Sequence, residues 1–321
     1  MKNKVLISVV VLSYNRAEYV SKTLDSILMQ KVDADLEIVI GDDCSTDNAR
    51  EVLLDYKEKN PEIIKLLFHD RNLGIAANWA TCVKACSGKY ICNCDNDDYW
   101  HNPNKLQIQL DYMENNSDFN ICVTDYRIQN CSSGITREMK TNIDRTNSLQ
   151  RFIFNGMPTV LNSTIMYRAD FLKSNVPLDD FIKLKFTLQD WPALIILSEK
   201  TDKIGVIRES TTTNCQTESV TRPHSVENLE LRLRKEMECY EYCKKYFCKE
   251  LLQQENSCLD GWNAYVNERL FQLSYHIGDY KNAHKYSKHV KGHKFRVCLA
   301  QTRLTFGLYQ GVRKLICCVK K

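Results

Sequence analysis

The sequence predicts an α/β fold with an open, layered sheet whose first strands are parallel. Short runs rich in Val and Ile alternate with segments whose apolar residues recur at helical spacing, from residue 6 to residue 95. The connections between them are short, which is typical of β-α-β units with parallel strands. Polar residues follow the ends of three of these strands, where ligands bind in open α/β sheets.

The elements of the first third follow from these periodicities. Gly41–Asn48 is a polar loop that can cap the next helix, and Ser87-Gly88 ends a helix before the fourth strand. We expect strands at 6–12, 36–40, 63–69 and 90–94, with helices at 18–30, through 52–56 and at 75–86.

The alternation is looser after residue 100. Residues 209–225 are rich in Thr and Ser and predict a mobile loop, and 129–146 predicts a loop with a hairpin. The other expected elements are strands at 119–126, 159–167 and 203–208, helices at 103–115, 169–172, 262–277 and 280–290, a helix beginning at Asp190, and a long helix from Val226. The pattern therefore predicts one α/β domain, residues 1–225, and a helical C-terminal region, residues 226–321.

The composition is that of a globular protein, with 43% hydrophobic and 26% charged residues. The apolar run Val5–Leu12 is too short for a membrane span and lacks a signal-cleavage site, so we expect a buried strand in a cytoplasmic protein. The fifteen cysteines are odd in number, scattered and without zinc-site spacing. We expect them to be buried thiols in a reducing compartment.

The charge is unevenly distributed along the chain. Residues 281–321 carry eleven Lys and Arg and no Asp or Glu, which leaves 33 basic against 40 acidic residues elsewhere. Residues 295–319 form a basic amphipathic pattern interrupted by Gly307 and Gly311. Two interpretations remain open: a helix on an anionic membrane surface at the inner face of the membrane, or a terminal helix docked on its domain. Nucleic acid is not an expected partner.

A carboxylate cluster follows the fourth predicted strand. Asp95, Asp97 and Asp98 come directly after an apolar run, and like charges so close together repel and raise one another's pKa. A divalent cation would relieve the repulsion, because Mg²⁺ and similar ions prefer carboxylate oxygens. The cluster therefore predicts a metal–diphosphate site. The glycine patterns of a dinucleotide site or a P-loop are missing, and so are the Gly and Glu of an EF-hand.

Five motifs in order resemble the family 2 glycosyltransferases of the GT-A fold. They are Val9–Arg16, Gly41–Asp47, Arg71–Asn78, Asp95–Asp98 and Gln189–Trp191. The resemblance is specific over residues 5–110, returns around Asp190 and fades after residue 226. It implies a Rossmann-like mixed sheet flanked by helices, here with a helical C-terminal extension.

The resemblance also implies roles for individual residues. Asp43 would hold the imide N–H of the donor's base, Asp95 the ribose, and Asp97 or Asp98 the Mn²⁺ or Mg²⁺ on the diphosphate. Asp190 would be the catalytic base, although the family usually has Glu where Gln189 stands. The remaining residues expected at the donor nucleotide are Ser13, Tyr14, Asn15, Arg71 and Asn96.

One position departs from the family pattern. Many relatives carry a metal-binding His in a late loop, where this chain has Gln216, and His224 is the nearby alternative. One carboxylate base without a protein nucleophile implies in-line attack with inversion. We therefore expect an inverting, metal-dependent transfer from a nucleotide-sugar, a UDP-sugar above all, to a surface polysaccharide or lipid-linked glycan. The alternatives are a sugar-phosphate nucleotidyltransferase and a non-catalytic protein that binds a glycan or a partner.

Overall fold

A computed structural model describes most of the chain. The described residues are 6–131, 133–141, 160–186, 188–201, 203–216, 225–246, 255–290, 300–303 and 306. His224 and nearly all of the basic segment 295–319 lie outside them, so the structure does not test those two predictions.

The predicted alternation of strands and helices is present in the first third of the chain. Strands β1 to β4 are parallel, in the spatial order β3-β2-β1-β4. Their carboxyl ends therefore lie at one edge of the sheet. The elements are β1 (Leu6–Ser13), α1 (Ala17–Leu28), β2 (Asp35–Asp42), α2 (Ala49–Lys59), β3 (Ile64–Phe68), α3 (Ile75–Ala85) and β4 (Tyr90–Asp95).

The later strands make the sheet mixed. Strand β8 is antiparallel to β4 and to β6, and the described sheet continues through β9 to β5, with β7 beside β6. The elements are β5 (Tyr99–Trp100), α4 (Lys105–Asn115), β6 (Ile121–Asn130), β7 (Thr136–Met139), β8 (Met166–Arg168), α5 (Ala169–Asn175), α6 (Leu178–Leu184), α7 (Asp190–Ser198) and β9 (Gly205–Gln216). The predicted hairpin is the β6–β7 pair, and the helix expected at Asp190 is α7.

Two predictions about the later strands were wrong. The segment 209–216 was expected to be a loop, but β9 continues through it because Thr211, Thr212 and Thr213 are buried in the sheet. The segment 159–167 was expected to be a strand. A 3₁₀ turn at Asn162–Thr164 precedes the short β8 instead, because the side chains of this turn bond to polar groups of the neighbouring loops.

The two faces of the sheet are covered by different helices. Alternate strand residues, among them Val9, Ile38 and Cys92, join one core with α1, α2 and α4. Helix α3 covers the other face and lies very close to β2. A Cβ placed on Gly41 would be 2.0 Å from Asn78 Oδ1, so β2 requires glycine there.

The described chain forms two compact units by its internal contacts. The first contains the sheet and its helices up to residue 216, together with residues 245 and 246. The second contains the long helix α8 (Val226–Cys243) together with α9 (Glu255–Ile277) and α10 (Tyr280–Ser287). Phe271 and Tyr275 are buried in its core. Among the described helices, none has the length and apolarity needed to cross a bilayer.

Candidate functional site

The ends of β1, β2 and β4 bring three polar segments together. The parallel register places Ser13 opposite Asp42, and Leu12 opposite both Gly41 and Asp95. The loops that leave these strands therefore begin side by side at the carboxyl edge of the sheet. This arrangement is the one expected from the sequence for a ligand crevice.

Burial disfavours the ionised forms of the three carboxylates at the end of β4 and in the loop that follows it. Burial and the charges of Asp97 and Asp190 raise the pKa of Asp95 to about 7. A hydrogen bond from Asn162 acts in the opposite direction but does not cancel the rise. Burial raises the pKa of Asp97 too, although Arg16, with Nη2 3.9 Å from Asp97 Oδ2, opposes the rise. A cation would stabilise the ionised form of this cluster.

Asp98 is the most tightly held of these carboxylates. Its side chain is 1% exposed, and burial and its acidic neighbours raise its pKa well above the usual value. Ser163 Oγ donates to Oδ2 at 2.7 Å, while Asn214 Nδ2 and the Cys215 N–H donate to Oδ1 at 2.9 and 3.2 Å. These three donors tie the loop after β4 to the 3₁₀ turn and to β9.

Asp43 lies buried beside the turn that precedes α3. The backbone N–H groups of Leu73 and Gly74 donate to its two carboxylate oxygens at 2.6 and 3.0 Å. Asn72 Nδ2 also donates to the Asp43 carbonyl at 3.3 Å. Arg71 is exposed on the same turn. Asp43 therefore fixes the turn that carries Arg71, and both residues lie near the end of β2.

The loop after β1 combines a structural residue with available polar groups. Asn15, with φ 51°, accepts from the Thr46 N–H at 2.7 Å and donates its own N–H to Ser45 Oγ at 3.0 Å. It thus joins the loops after β1 and β2. Tyr14 is 41% exposed. Among the described residues, the Ser13 hydroxyl and Asn96 Nδ2 are buried without a hydrogen-bond partner. Buried polar groups normally have partners, so these two atoms have hydrogen-bonding capacity left for a ligand at this edge.

Asp190 is the first residue of α7 and is partly buried. Its negative charge helps to raise the pKa values of Asp95 and Tyr167, which places its carboxylate in the electrostatic neighbourhood of the cluster. Gln189 before it is buried. Gln216 is the last residue of β9 and pairs with Asn130.

Sequence reasoning missed the residues that hold the carboxylates in place. Asn162 Nδ2 donates to Asp95 Oδ1 at 2.8 Å, and Ser163 Oγ accepts from the Asp95 N–H at 3.0 Å. Both residues lie in the segment expected to be a strand. Their signal was the polar run Asn162-Ser163-Thr164 inside an otherwise apolar segment, which is unusual for a buried strand.

Comparison with known sequences gives a family. The model of Glycosyl transferase family 2 matches residues 8–175. A relative in Escherichia coli is named UDP-Glc:alpha-D-GlcNAc-diphosphoundecaprenol beta-1,3-glucosyltransferase WfgD. It is 35% identical over 112 residues, which cover 35% of this chain and 42% of the relative. The match thus spans less than half of that protein's length.

Solved structures support the fold. TarS 1-349 of S. aureus, in complex with UDP-GlcNAc, superposes with a TM-score of 0.53 and 18% identity, covering 92% of this chain and 87% of that one. The mannosyltransferase PcManGT from Pyrobaculum calidifontis, in complex with GDP-Man and Mn²⁺, gives a TM-score of 0.57 and 14% identity, covering 98% and 84%. The mixed sheet with flanking helices is the GT-A arrangement expected from the sequence.

Proposed function

Because this chain belongs to glycosyl transferase family 2, we propose that it transfers a sugar from a nucleoside diphosphate donor to a glycan hydroxyl. The observation that carries the proposal is the convergence of Ser13, Asp43 and Asp95 at one edge of the sheet. The relative WfgD has UDP-Glc in its name, which favours UDP as the nucleotide of the donor. The transferred sugar is proposed to be a hexose or an N-acetylhexosamine.

The proposed donor site uses the polar atoms that the fold leaves at this edge. The Ser13 hydroxyl and Asn96 Nδ2, both buried, would bond to the nucleotide. Tyr14 and Arg71 would lie against the base, and the Asp43 carboxylate would accept its imide N–H while it holds the turn after β3. Asp95 would hold the ribose.

Asp97 is the residue proposed to hold a Mn²⁺ or Mg²⁺ ion. Its carboxylate is 29% exposed, whereas the oxygens of Asp98 already accept three hydrogen bonds. Among the described residues, no group of three or more His, Cys, Asp or Glu side chains is arranged to hold a metal ion. An ion such as Mg²⁺ needs only one or two carboxylates where substrate phosphates supply further oxygens, so Asp97 fits this role together with a diphosphate donor. A bound ion would supply positive charge to the departing diphosphate.

Asp190 is the proposed general base. It would accept the proton of the acceptor hydroxyl as that oxygen attacks the anomeric carbon, and the single displacement would invert the configuration. Asp190→Asn should lower kcat by about 10²-fold or more, since general-base catalysis contributes about 10²–10⁴-fold. UDP binding should persist in this variant. Transfer at the wild-type rate would remove Asp190 from this role.

The donor proposal is tested by a thermal-shift panel of nucleotide-sugars with and without Mn²⁺. A ligand that binds the folded protein at a hundred times its Kd stabilises it by about 2.7 kcal/mol. We expect UDP-sugars with Mn²⁺ to raise the Tm, and adenosine or guanosine counterparts to have less effect. A panel without any Mn²⁺-dependent shift would contradict the proposal.

The acceptor is proposed to be a growing surface polysaccharide or a lipid-linked glycan, since the name of WfgD includes a diphosphoundecaprenol acceptor. We propose a cytoplasmic protein attached peripherally to the inner face of the membrane. The test compares the full chain with one ending near Lys291 in sedimentation with anionic vesicles. Equal binding of both would show that the basic C-terminal segment is not a membrane anchor.

A further inference from the structure

A chain of buried hydrogen bonds runs from the interior of α3 to the carboxylate of Asp95. Trp79 Nε1 donates to Asn93 Oδ1 at 3.1 Å, and Asn93 Nδ2 donates to Asn162 Oδ1 at 2.9 Å. Asn162 Nδ2 then donates to Asp95 Oδ1 at 2.8 Å. Trp79, Asn93 and Asn162 are at most 5% exposed, so these hydrogen bonds are shielded from bulk water.

The chemistry of Trp79 dictates the direction of every bond in this chain. An indole N–H can only donate, so Asn93 must present its carbonyl oxygen to Trp79. Its NH₂ group then faces Asn162, which must accept with its own carbonyl oxygen. The NH₂ group of Asn162 is consequently left for Asp95. With a reversed amide, Asn162 would present an oxygen to the carboxylate, and the two would repel.

We propose that Trp79, Asn93 and Asn162 form a relay that positions the Asp95 carboxylate for the donor. The inference rests on the proposed function for the role of Asp95. The relay holds Oδ1, which leaves Oδ2 as the oxygen that would accept from the nucleotide. Trp79 is thus a positioning residue two side chains away from the carboxylate that it controls.

A relay differs measurably from three independent packing contacts. Trp79→Phe keeps an aromatic ring beside Phe181, whose centroid is 5.6 Å away, but removes the N–H that sets the direction. Asn93→Leu interrupts the chain without adding charge. Both changes remove the constraint on the amide orientation of Asn162 and so on the Asp95 carboxylate. Each should raise the donor KM about fivefold, the equivalent of one hydrogen bond of about 1 kcal/mol. Because Asp95 would contact the donor in its ground state as well as in the transition state, kcat should change little.

The double variant is the decisive kinetic measurement. If both residues act through Asn162, Trp79→Phe combined with Asn93→Leu should raise the donor KM no more than Asn93→Leu alone. Tyr90→Phe is the matched control. It removes the 2.8 Å bond that the hydroxyl donates to Glu114 and the 3.1 Å bond that it accepts from Arg168, both at the other end of β4. It should leave the donor KM unchanged. Multiplicative effects of the two substitutions on KM, or an equal effect of Tyr90→Phe, would overturn the relay.

A spectroscopic measurement tests the relay without any donor. The chain has four tryptophans, so ¹⁵N-Trp labelling gives a small set of indole signals, and Trp79→Phe assigns one of them. Asn162→Leu should shift the Trp79 indole proton, although Asn93 lies between the two residues. An unmoved signal would overturn the relay. A shifted signal in a protein that binds no nucleotide would support the relay and refute the proposed function.

Discussion

The two neighbouring carboxylates Asp97 and Asp98 should respond in opposite ways to truncation. In Asp98→Ala, donors on Ser163, Asn214 and Cys215 lose a buried acceptor. An unsatisfied buried donor costs about 1–3 kcal/mol, so the three together cost at least about 3 kcal/mol. The variant also loses the cost of burying this carboxylate and its repulsion with the acidic neighbours, which offsets part of the destabilisation. We expect a net loss of about 2 kcal/mol, or about 4–8 °C in Tm for a domain of this size.

Asp97→Ala removes a partly exposed carboxylate that contacts Arg16 at 3.9 Å. Because it also removes repulsion with Asp95 and Asp98, its Tm in EDTA should equal or exceed that of the wild type. Adding Mn²⁺ to the protein in UDP should raise the Tm further for the wild type but not for Asp97→Ala. Scanning fluorimetry of both variants measures all of these quantities. An unchanged Tm for Asp98→Ala, or a persistent Mn²⁺ shift in Asp97→Ala, would refute this division of roles.

Three further predictions concern the stability of the sheet domain. Gly41→Ala should lower the free energy of urea unfolding by about 1–3 kcal/mol, because the new Cβ would overlap Asn78 Oδ1. The reverse exchange on helix α3, Ala85→Gly, creates no overlap and should cost only about 1 kcal/mol. Burial acts to raise the pKa of Glu37, but the hydrogen bonds from Ser8, Ser87 and Gly88 outweigh it and lower the pKa. Glu37→Gln should therefore lower the free energy of unfolding by about 1–2 kcal/mol at neutral pH. This difference should vanish as the pH falls through the folded-state pKa, and a constant difference would contradict it. Burial lowers the pKa of Lys105, so the charged form disfavours folding below that pKa. The stability of Lys105→Met relative to the wild type should therefore be higher at neutral pH than at pH values above the unfolded pKa, and the opposite trend would contradict this assignment.

The sequence was sufficient where structure is decided locally. The strands and helices from residue 6 to residue 95, and helix α4, follow from β-branched runs, helical periodicity and turn residues. Their order places the polar loops at one edge. The short strand β5 had no such local signal and was not predicted. The sequence was insufficient where distant segments decide. The Thr-rich end of β9 is a strand because β5 and β6 pair with it and bury its side chains.

The same distinction applies to the site. The carboxylates could be recognised as a cluster because they are close together in the sequence. The side chains that donate hydrogen bonds to them are distant in the sequence. Asn162 and Ser163 lie 67 and 65 positions from Asp95 and Asp98, and no local pattern connects them. Their contacts became apparent only once β4 and the 3₁₀ turn were side by side.

Hydrogen-bond donors explain how three carboxylates can lie close together at one edge of the sheet. The Asp98 carboxylate accepts from three donors and that of Asp95 from one side chain, whereas Asp97 has its own backbone N–H and an ion pair with Arg16 at 3.9 Å. The least supported carboxylate is also the most suited to an exchangeable cation, because few protein contacts must be given up when the ion binds. Donors fixed by the fold thus preserve the shape of the loop without metal. In the proposed function, the remaining repulsion would favour the binding of a cation together with the donor.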